Sequence, residues 1–258
     1  MNRTSIPGPA GELSVLTTGD PAAKALPILF AHPINLQAAC WAEVVGPLDR
    51  FCVLPDLRGH GRSEPLGPFG VEHWAADLLA ALDHFAIPRA HVIGGSLGGA
   101  LSVYLAATHP DRVASIVSVG GALAIEGDGL DAAVEAFRTL GPRRVFEDNL
   151  PEMSLAPGAP AEVVERMLDL SNPNDAETVS AIWAATTSSD VREHAPAVQC
   201  PATVITGAFD RTCTPEQARE MADALGVGLV TMPGVGHLPM LEAPQALAEL
   251  LSAHLDRE

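Results

Sequence analysis

Short apolar runs bounded by glycine or proline recur along the chain and alternate with stretches of helical periodicity. The apolar runs have the length of strands and cover residues 13–18, 26–31, 51–56, 90–95, 113–121, 202–207 and 228–232. The helical patterns between them cover residues 71–87, 97–109, 215–226 and 243–255. Strands that are apolar throughout and alternate with helices indicate a parallel sheet covered on both faces. The pattern therefore predicts an α/β fold with a doubly wound, mostly parallel sheet.

The alternation stops in the segment 123–195, where no convincing strand is found. Three helical stretches, separated by proline, glycine and asparagine, cover residues 129–141, 161–171 and 176–187. A helical insertion between two strands is typical of a lid that shapes a substrate cavity and excludes water, although a purely decorative subdomain is the alternative. We predict a core formed by residues 1–122 and 196–258 and a helical cap formed by residues 123–195.

Composition excludes several classes of partner. The chain has 258 residues, 47% of them apolar, which is enough for one domain with an insertion. Its net charge of −17 argues against nucleic acid and anionic membranes as partners. No signal peptide and no run of about 18 apolar residues is found, so we expect a cytoplasmic protein without a membrane partner. Oligomeric state stays open, with a homo-oligomer among the alternatives.

The cysteines and histidines lack the spacing of metal ligands, so no metal and no cofactor is expected. We expect free thiols at Cys40, Cys52, Cys200 and Cys213.

Residues 94–98, Gly-Gly-Ser-Leu-Gly, match the pattern G-x-S-x-G between a predicted strand and a predicted helix. A serine at so sharp a turn has a strained backbone and needs small neighbours. The alternative is a glycine-rich turn in which the serine caps the helix. The motif predicts Ser96 as a nucleophile only if a base and an acid follow in the expected order.

Both partners follow in that order. A serine hydroxyl needs a general base, and the base needs a carboxylate that orients it. Asp210 lies in the loop after the predicted strand 202–207, and His237 lies in the loop after the strand 228–232. Because the carboxyl ends of parallel strands share one edge of a sheet, we predict that Ser96, Asp210 and His237 form a catalytic triad.

With these motifs in place, the chain resembles the α/β-hydrolase superfamily along essentially its whole length. The segments that carry the resemblance are residues 30–41, 56–65, 94–99, 206–215 and 234–244. It is most similar to small capped hydrolases, namely 3-oxoadipate enol-lactonases, aryl esterases and C–C bond hydrolases. The resemblance implies that Ser96 attacks a carbonyl, His237 transfers the proton and Asp210 orients the imidazole. Glu126 is a second candidate for the acid, because some relatives carry it after the preceding strand, but the loop context favours Asp210.

The resemblance also implies an oxyanion hole formed by the backbone N–H groups of Leu97 and Ile34. Most relatives have His-Gly where this chain has His32-Pro33. Proline has no N–H and restricts the residue before it, so the path of this loop is open at this point.

We predict a substrate pocket between the cap and the sheet edge, with His32, Trp183 and Leu238 as substrate contacts. For His32, hydrogen bonding that shapes the loop is the alternative. Cys213 is expected to pack beside the site rather than to act as a nucleophile. Four cap residues are candidates for pairing with a substrate carboxylate, with surface salt bridges as the alternative: Arg138, Arg143, Arg144 and Arg166.

The leading hypothesis is a serine hydrolase that cleaves a carboxylic ester or lactone of a small molecule through an acyl-enzyme. A C–C bond hydrolase with the same triad is the first alternative. A hydrolase-like ligand receptor or pseudoenzyme is the second.

Overall fold

The computed structural model describes residues 1–125 and 130–256, and its central feature there is an eight-stranded sheet. The strands are β1 Asn2–Pro7, β2 Glu12–Thr18, β3 Ile28–Ala31, β4 Cys52–Pro55, β5 Ala90–Gly95, β6 Val113–Val119, β7 Ala202–Gly207 and β8 Leu229–Met232. The helices are α1 Ala42–Val45, α2 Val71–His84, α3 Leu97–Thr108, α4 Leu130–Leu140, α5 Pro142–Ser154, α6 Ala161–Asp169, α7 Ala176–Thr187, α8 Pro215–Ala224, α9 Pro239–Glu242 and α10 Pro244–Leu255. In this described part of the chain, no helix has the length and apolar character that crossing a membrane requires.

The strands lie in the order β1-β2-β4-β3-β5-β6-β7-β8. All neighbours from β4 to β8 are parallel, and β2 pairs antiparallel with β1 and β4. Every residue of β3, β4, β5 and β6 is buried, because helices cover both faces of the sheet. The prediction of a doubly wound, mostly parallel sheet is therefore confirmed.

Strand β1 was not predicted. Its sequence, Asn-Arg-Thr-Ser-Ile-Pro, is polar, and five of its six residues are exposed at the edge of the sheet. It pairs only with β2, so its hydrogen bonds come from its neighbour rather than from a hydrophobic pattern of its own. Edge strands of this kind leave little signal in the sequence.

Four helices, α4 to α7, lie between β6 and β7 in the predicted cap region. Helix α7 has the predicted bounds, whereas α5 was not predicted because it begins at Pro142 and contains Pro151. The two ends of the segment are joined where Val191 N–H donates to the Leu123 carbonyl at 2.8 Å, next to a bridge between Ala124 and Asp190. The division into a core and a cap of residues 123–195 stays a prediction, and the cap below means the described residues of that range.

Candidate active site

Ser96 lies at the turn between β5 and α3 and has a strained backbone, with φ 51° and ψ −115°. A non-glycine residue in this region costs about 1 to 3 kcal/mol, which the surrounding structure must supply. Two hydrogen bonds hold the turn: Ser96 N–H donates to the Val119 carbonyl at 2.9 Å, and Gly99 N–H donates to the Ser96 carbonyl at 2.8 Å. The Ser96 side chain makes no hydrogen bond that caps α3, so the capping alternative is excluded.

The glycines of the motif are required because α3 lies very close to β3 and β5. A Cβ atom on Gly94 would lie 1.8 Å from the Gly98 carbonyl oxygen. A Cβ atom on Gly98 would lie 2.3 Å from the carbonyl oxygen of Ala31. Both distances are shorter than any van der Waals contact, so a side chain at either position would push the helix off the sheet.

Asp210 and His237 form a buried pair beyond the ends of β7 and β8. His237 Nδ1 lies 2.9 Å from Asp210 Oδ2 and 3.0 Å from Oδ1, and each residue is only 3% exposed. Asp210 Oδ1 also accepts hydrogen bonds from the N–H groups of Thr212 at 2.9 Å and Cys213 at 2.8 Å. A proton on Nδ1 leaves Nε2 able to accept one, which is what a general base requires.

A capping box fixes the far end of the Asp210 loop. Gln217 N–H donates to the Thr214 hydroxyl at 3.4 Å, and the Gln217 side-chain carbonyl accepts from Thr214 N–H at 2.9 Å. Pro215 follows at the first position of α8, where a proline is well tolerated. The Asp210 loop is thus fixed at both ends, by strand β7 and by the capped helix α8.

The end of β6 brings Ser96 and the histidine-aspartate pair to one place, because β6 lies between β5 and β7 in the sheet. The Ser96 amide is bonded to the last residue of β6. The next residue, Gly120, faces the pair: a Cβ atom built on it would lie 3.2 Å from Asp210 Oδ2 and 3.3 Å from His237 Nδ1. All three predicted catalytic residues therefore border the same short stretch of backbone.

Cys213 lies between Asp210 and Ser96. Its backbone N–H donates to Asp210, and its thiol interacts with the Ser96 side chain. Burial, and secondarily the Asp210 charge, raise the pKa of the Cys213 thiol. It therefore remains a neutral thiol that packs against Ser96, and it is unsuited to act as a nucleophile.

The loop after β3 forms a turn despite its unusual His-Pro sequence. Leu36 N–H donates to the Pro33 carbonyl at 3.1 Å, and His32 Nδ1 donates to the same oxygen at 2.8 Å. His32 Nε2 accepts from Leu57 N–H at 3.0 Å. Burial lowers the pKa of His32, and the side chain is inaccessible to solvent. Both ring nitrogens of His32 are hydrogen-bonded to backbone groups. The assignment of His32 as a substrate contact is therefore replaced by a role in shaping this loop.

The two amides predicted to form the oxyanion hole follow this turn and the nucleophile. Leu97 is the first residue of α3, where an N–H group has no acceptor within the helix. Within residues 1–125 and 130–256, neither Leu97 N–H nor Ile34 N–H donates a hydrogen bond to another protein group. Pro33 does not remove either of these N–H donors, because the predicted donor in this loop is Ile34. The Pro33 ring packs against Gly95, the residue before Ser96.

The cap is bonded directly to the two loops that flank the site. Trp183 Nε1 donates to Asn35 Oδ1 at 2.9 Å, and Asn172 N–H donates to the Asn35 carbonyl at 2.8 Å. On the other side, His237 N–H donates to the Ser154 carbonyl at 2.8 Å. Asn35 is the neighbour of Ile34, so movement of the cap would disturb both the loop after β3 and the loop that carries His237.

Glu242 was missed by the sequence analysis although it holds the His237 loop. Its Oε1 accepts from Gly236 N–H at 3.0 Å and from Leu238 N–H at 3.3 Å, the two residues that flank His237. Its Oε2 accepts from Ala156 N–H in the cap at 2.7 Å. The only available signal was its place in the segment 234–244, five residues after the histidine.

Two of the cavities between cap and core are lined by residues of the candidate site or of the loops that flank it. A crevice of about 10 Å³, with room for about one water molecule, opens at Ser96. A cleft of about 360 Å³, the cap cleft, has Trp183 in its wall. Helix α7 and the Asp210 loop contribute to both: Trp183 and Thr212 line the cleft, whereas Thr186 and Cys213 line the crevice.

Leu238 lines neither of these cavities. Its side chain is 2% exposed and belongs to the hydrophobic core that includes Trp41 and Met240. Its assignment as a substrate contact is therefore replaced by a packing role. The alternative acid, Glu126, lies outside the described residues.

The four cap arginines do not line the cleft either. Each is paired with a carboxylate at the surface, and the pairs are Arg138 with Glu135, Arg143 with Glu147, Arg144 with Asp148 and Arg166 with Glu43. These four arginines therefore form surface salt bridges, which was the alternative to pairing with a substrate carboxylate. No group of three or more side chains with metal-ligating chemistry is found in the described ranges.

Comparison with known proteins identifies the family of this chain. The sequence model of the alpha/beta hydrolase family matches residues 28–250. The chain belongs to the alpha/beta hydrolase family. This confirms the resemblance and the fold predicted from the sequence.

Among curated hydrolases, the chain is 31% identical to a pimeloyl-[acyl-carrier protein] methyl ester esterase of Chromobacterium violaceum, over 90% of this chain and 94% of that one. It is 25% identical to 3-oxoadipate enol-lactonase 2 of Acinetobacter baylyi, over 89% of this chain and 88% of that one. Among solved structures, an enol-lactonase from Burkholderia xenovorans superposes with a TM-score of 0.92 at 26% identity, over 98% of this chain and 100% of that one.

Proposed function

We propose that this alpha/beta hydrolase cleaves a carboxylic ester or lactone of a small molecule through an acyl-enzyme on Ser96. The observation that carries the proposal is the strained serine turn, which borders the same backbone stretch as the buried His237–Asp210 pair. Strain at a serine, next to an oriented imidazole, is the arrangement that activates a hydroxyl for attack. The similar esterases and enol-lactonases support ester or lactone hydrolysis as the reaction class.

The residues have the following roles in this proposal. Ser96 Oγ attacks the carbonyl carbon while His237 Nε2 takes its proton, and Asp210 stabilises the imidazolium that forms. The amides of Leu97 and Ile34 bind the oxyanion. Collapse of the tetrahedral intermediate breaks the bond to the alkoxy oxygen, and His237 returns the proton to it. Water then attacks the acyl-enzyme with the same base and releases the acid and Ser96.

Proton release over a panel of short-chain esters, γ- and δ-lactones and an enol-lactone tests this function, with Ser96→Ala as the blank. We expect release by the wild type that falls to the blank rate in Ser96→Ala, and the best substrate separates esterase from lactonase. If wild type and Ser96→Ala are both inert across the panel, the proposal fails and C–C bond hydrolysis or a receptor role takes its place.

A further inference from the structure

The walls of the cap cleft carry no charged side chain among the residues that the structure describes. Its lining is mainly aliphatic and aromatic, including Phe137, Phe146, Leu150 and Trp183. The polar side chains that line the cleft are neutral. One of them, Asn35, already accepts a hydrogen bond from Trp183 at its side-chain oxygen Oδ1. The crevice at Ser96 is equally uncharged and is lined by alanine, leucine, isoleucine, serine, threonine and cysteine side chains. Both the crevice at Ser96 and the cap cleft therefore have uncharged walls.

The basic residues nearest to the cleft face outward and are paired. On α5, which supplies Phe146 and Leu150 to the wall, Arg143 and Arg144 bind Glu147 and Asp148 with both partners exposed. Arg211 adjoins the cleft residue Thr212 in sequence, but it is 44% exposed and lies 4.0 Å from Glu152. The chain as a whole carries a charge of −17.

These two observations decide the class of substrate. A carboxylate in the cleft would lose its hydration without gaining a cationic partner, and such a loss is far more costly than the burial of an alkyl group of equal size. A neutral chain gains about 25 cal/mol for each Å² of apolar surface that it buries. An overall negative charge also disfavours the approach of anions.

We infer that the cap cleft receives an uncharged, apolar part of the substrate, and that the enzyme discriminates against substrates that carry a carboxylate there. This inference rests on the proposed ester or lactone hydrolysis. It distinguishes the chain, by substrate charge, from any hydrolase whose substrate retains a free carboxylate in the pocket.

Matched substrate pairs test the inference directly. The first pair is para-nitrophenyl hexanoate and mono-para-nitrophenyl adipate, which share leaving group and chain length and differ by a terminal carboxylate. The second pair is phenyl acetate and para-carboxyphenyl acetate, which places the charge on the leaving group. We expect kcat/KM to favour the neutral member of at least one pair by about 100-fold, and that pair shows which part of the substrate lies in the cleft.

A single cation in the wall should weaken this discrimination. Ala133 lines the cleft from α4, whereas its neighbour Ala132 is exposed on the same helix. We expect Ala133→Arg to raise kcat/KM for the carboxylated ester about tenfold relative to the neutral one. Ala132→Arg adds the same charge outside the cleft, so it should leave the ratio unchanged. Circular dichroism and thermal melting establish that both variants are folded.

The outcomes separate the inference from the function on which it rests. Hydrolysis that depends on Ser96 but is equal or faster for the carboxylated members overturns the inference and leaves the proposed function intact. An equal change of the ratio in both arginine variants, or no change in either, also overturns it, because the cleft is then not where the substrate charge is sensed. If no member of either pair is hydrolysed in a Ser96-dependent way, the function fails and the inference falls with it.

Discussion

Buried histidine and serine side chains form one cluster at each end of the strands of the sheet. The two clusters differ in what they can do chemically. At the amino end, His91 on β5 lies 2.8 Å from the hydroxyl of Ser115 on β6. His254 of α10 lies 2.7 Å from the same hydroxyl and 2.9 Å from that of Thr203 on β7. At the carboxyl end of these strands lie Ser96, Asp210 and His237, the proposed triad. Both ends thus bring a serine and a histidine together in a buried place.

Three features distinguish the two serines. Ser115 lies within a regular strand and is fully buried, whereas Ser96 has a positive φ and borders a cavity. His237 is oriented by the Asp210 carboxylate, whereas His254 is oriented by the hydroxyl of Thr203. A buried serine in the neighbourhood of a histidine is therefore found at both ends of the sheet. Backbone strain, access and a carboxylate are what separate a nucleophile from a buried hydrogen-bond donor.

The largest expected contrast is between the two serines. Ser96→Ala should lower kcat/KM for the best ester by about 10⁴- to 10⁶-fold. Ser115→Ala should change kcat/KM by less than about threefold but lower the free energy of unfolding by about 1 to 3 kcal/mol, because two histidine rings lose a buried partner. Kinetics and urea unfolding of both variants measure this. A large activity loss in Ser115→Ala, at full folding, would contradict the separation of roles.

The residues that orient the two histidines should differ almost as much. Asp210→Asn should lower kcat by about 10⁴-fold, because an amide no longer stabilises the imidazolium and holds the wrong tautomer. Thr203→Val removes the corresponding partner at the amino end and should cost about 1 kcal/mol of stability with activity preserved. Wild-type activity in folded Asp210→Asn would show that the acid lies elsewhere.

The amino-end cluster should make stability depend on pH. Burial, followed by nearby charges, lowers the pKa of His91 to about 4. Unfolded histidine titrates near about pH 6.5, so the stabilising contribution of a neutral buried ring is complete above that value and is lost as the pH falls toward about 4. We expect the free energy of unfolding to fall by about 1 to 3 kcal/mol over this interval.

Urea unfolding at about pH 7.5 and about pH 4.5 measures this loss. His91→Gln should make the difference between the two pH values smaller, whereas His84→Gln, at an exposed position at the end of α2, should not. A difference that is the same in all three proteins would show that another group is responsible.

The smallest expected effect concerns the link between cap and oxyanion loop. Trp183→Phe removes the N–H that binds Asn35 but keeps a ring that can pack on Phe137, whose centroid lies 5.5 Å from that of Trp183. We expect kcat to fall by about three- to tenfold. A double-mutant cycle with Asn35→Ala tests the link, because effects transmitted through one hydrogen bond should not add. Fully additive effects would show that the two side chains act separately.

The core of the fold could be predicted from the sequence because its strands are buried on both faces and keep their apolar character throughout. Strands β5 and β7 have the predicted bounds. Strand β1 and helix α5 could not be predicted, since an exposed edge strand and a helix that contains Pro151 take their stability from tertiary neighbours.

The three residues of the proposed triad could be selected from the sequence because each follows a recognisable strand. Residues that act through hydrogen bonds to other segments of the chain, such as Glu242 and Asn35, have no local pattern and were missed. The same limit explains Leu238, for which nearness in sequence to His237 does not decide which way the side chain points. The cap arginines show it as well, because only the structure reveals their surface carboxylate partners.

The most direct test of the account is to label the protein with diethyl para-nitrophenyl phosphate and to locate the adduct by peptide mass spectrometry. The account predicts one diethylphosphoryl group per chain, attached to Ser96 and absent from Ser115, together with loss of esterase activity in proportion to labelling. An unmodified Ser96 in protein that has lost its activity, or full esterase activity after Ser96 is labelled, would contradict it.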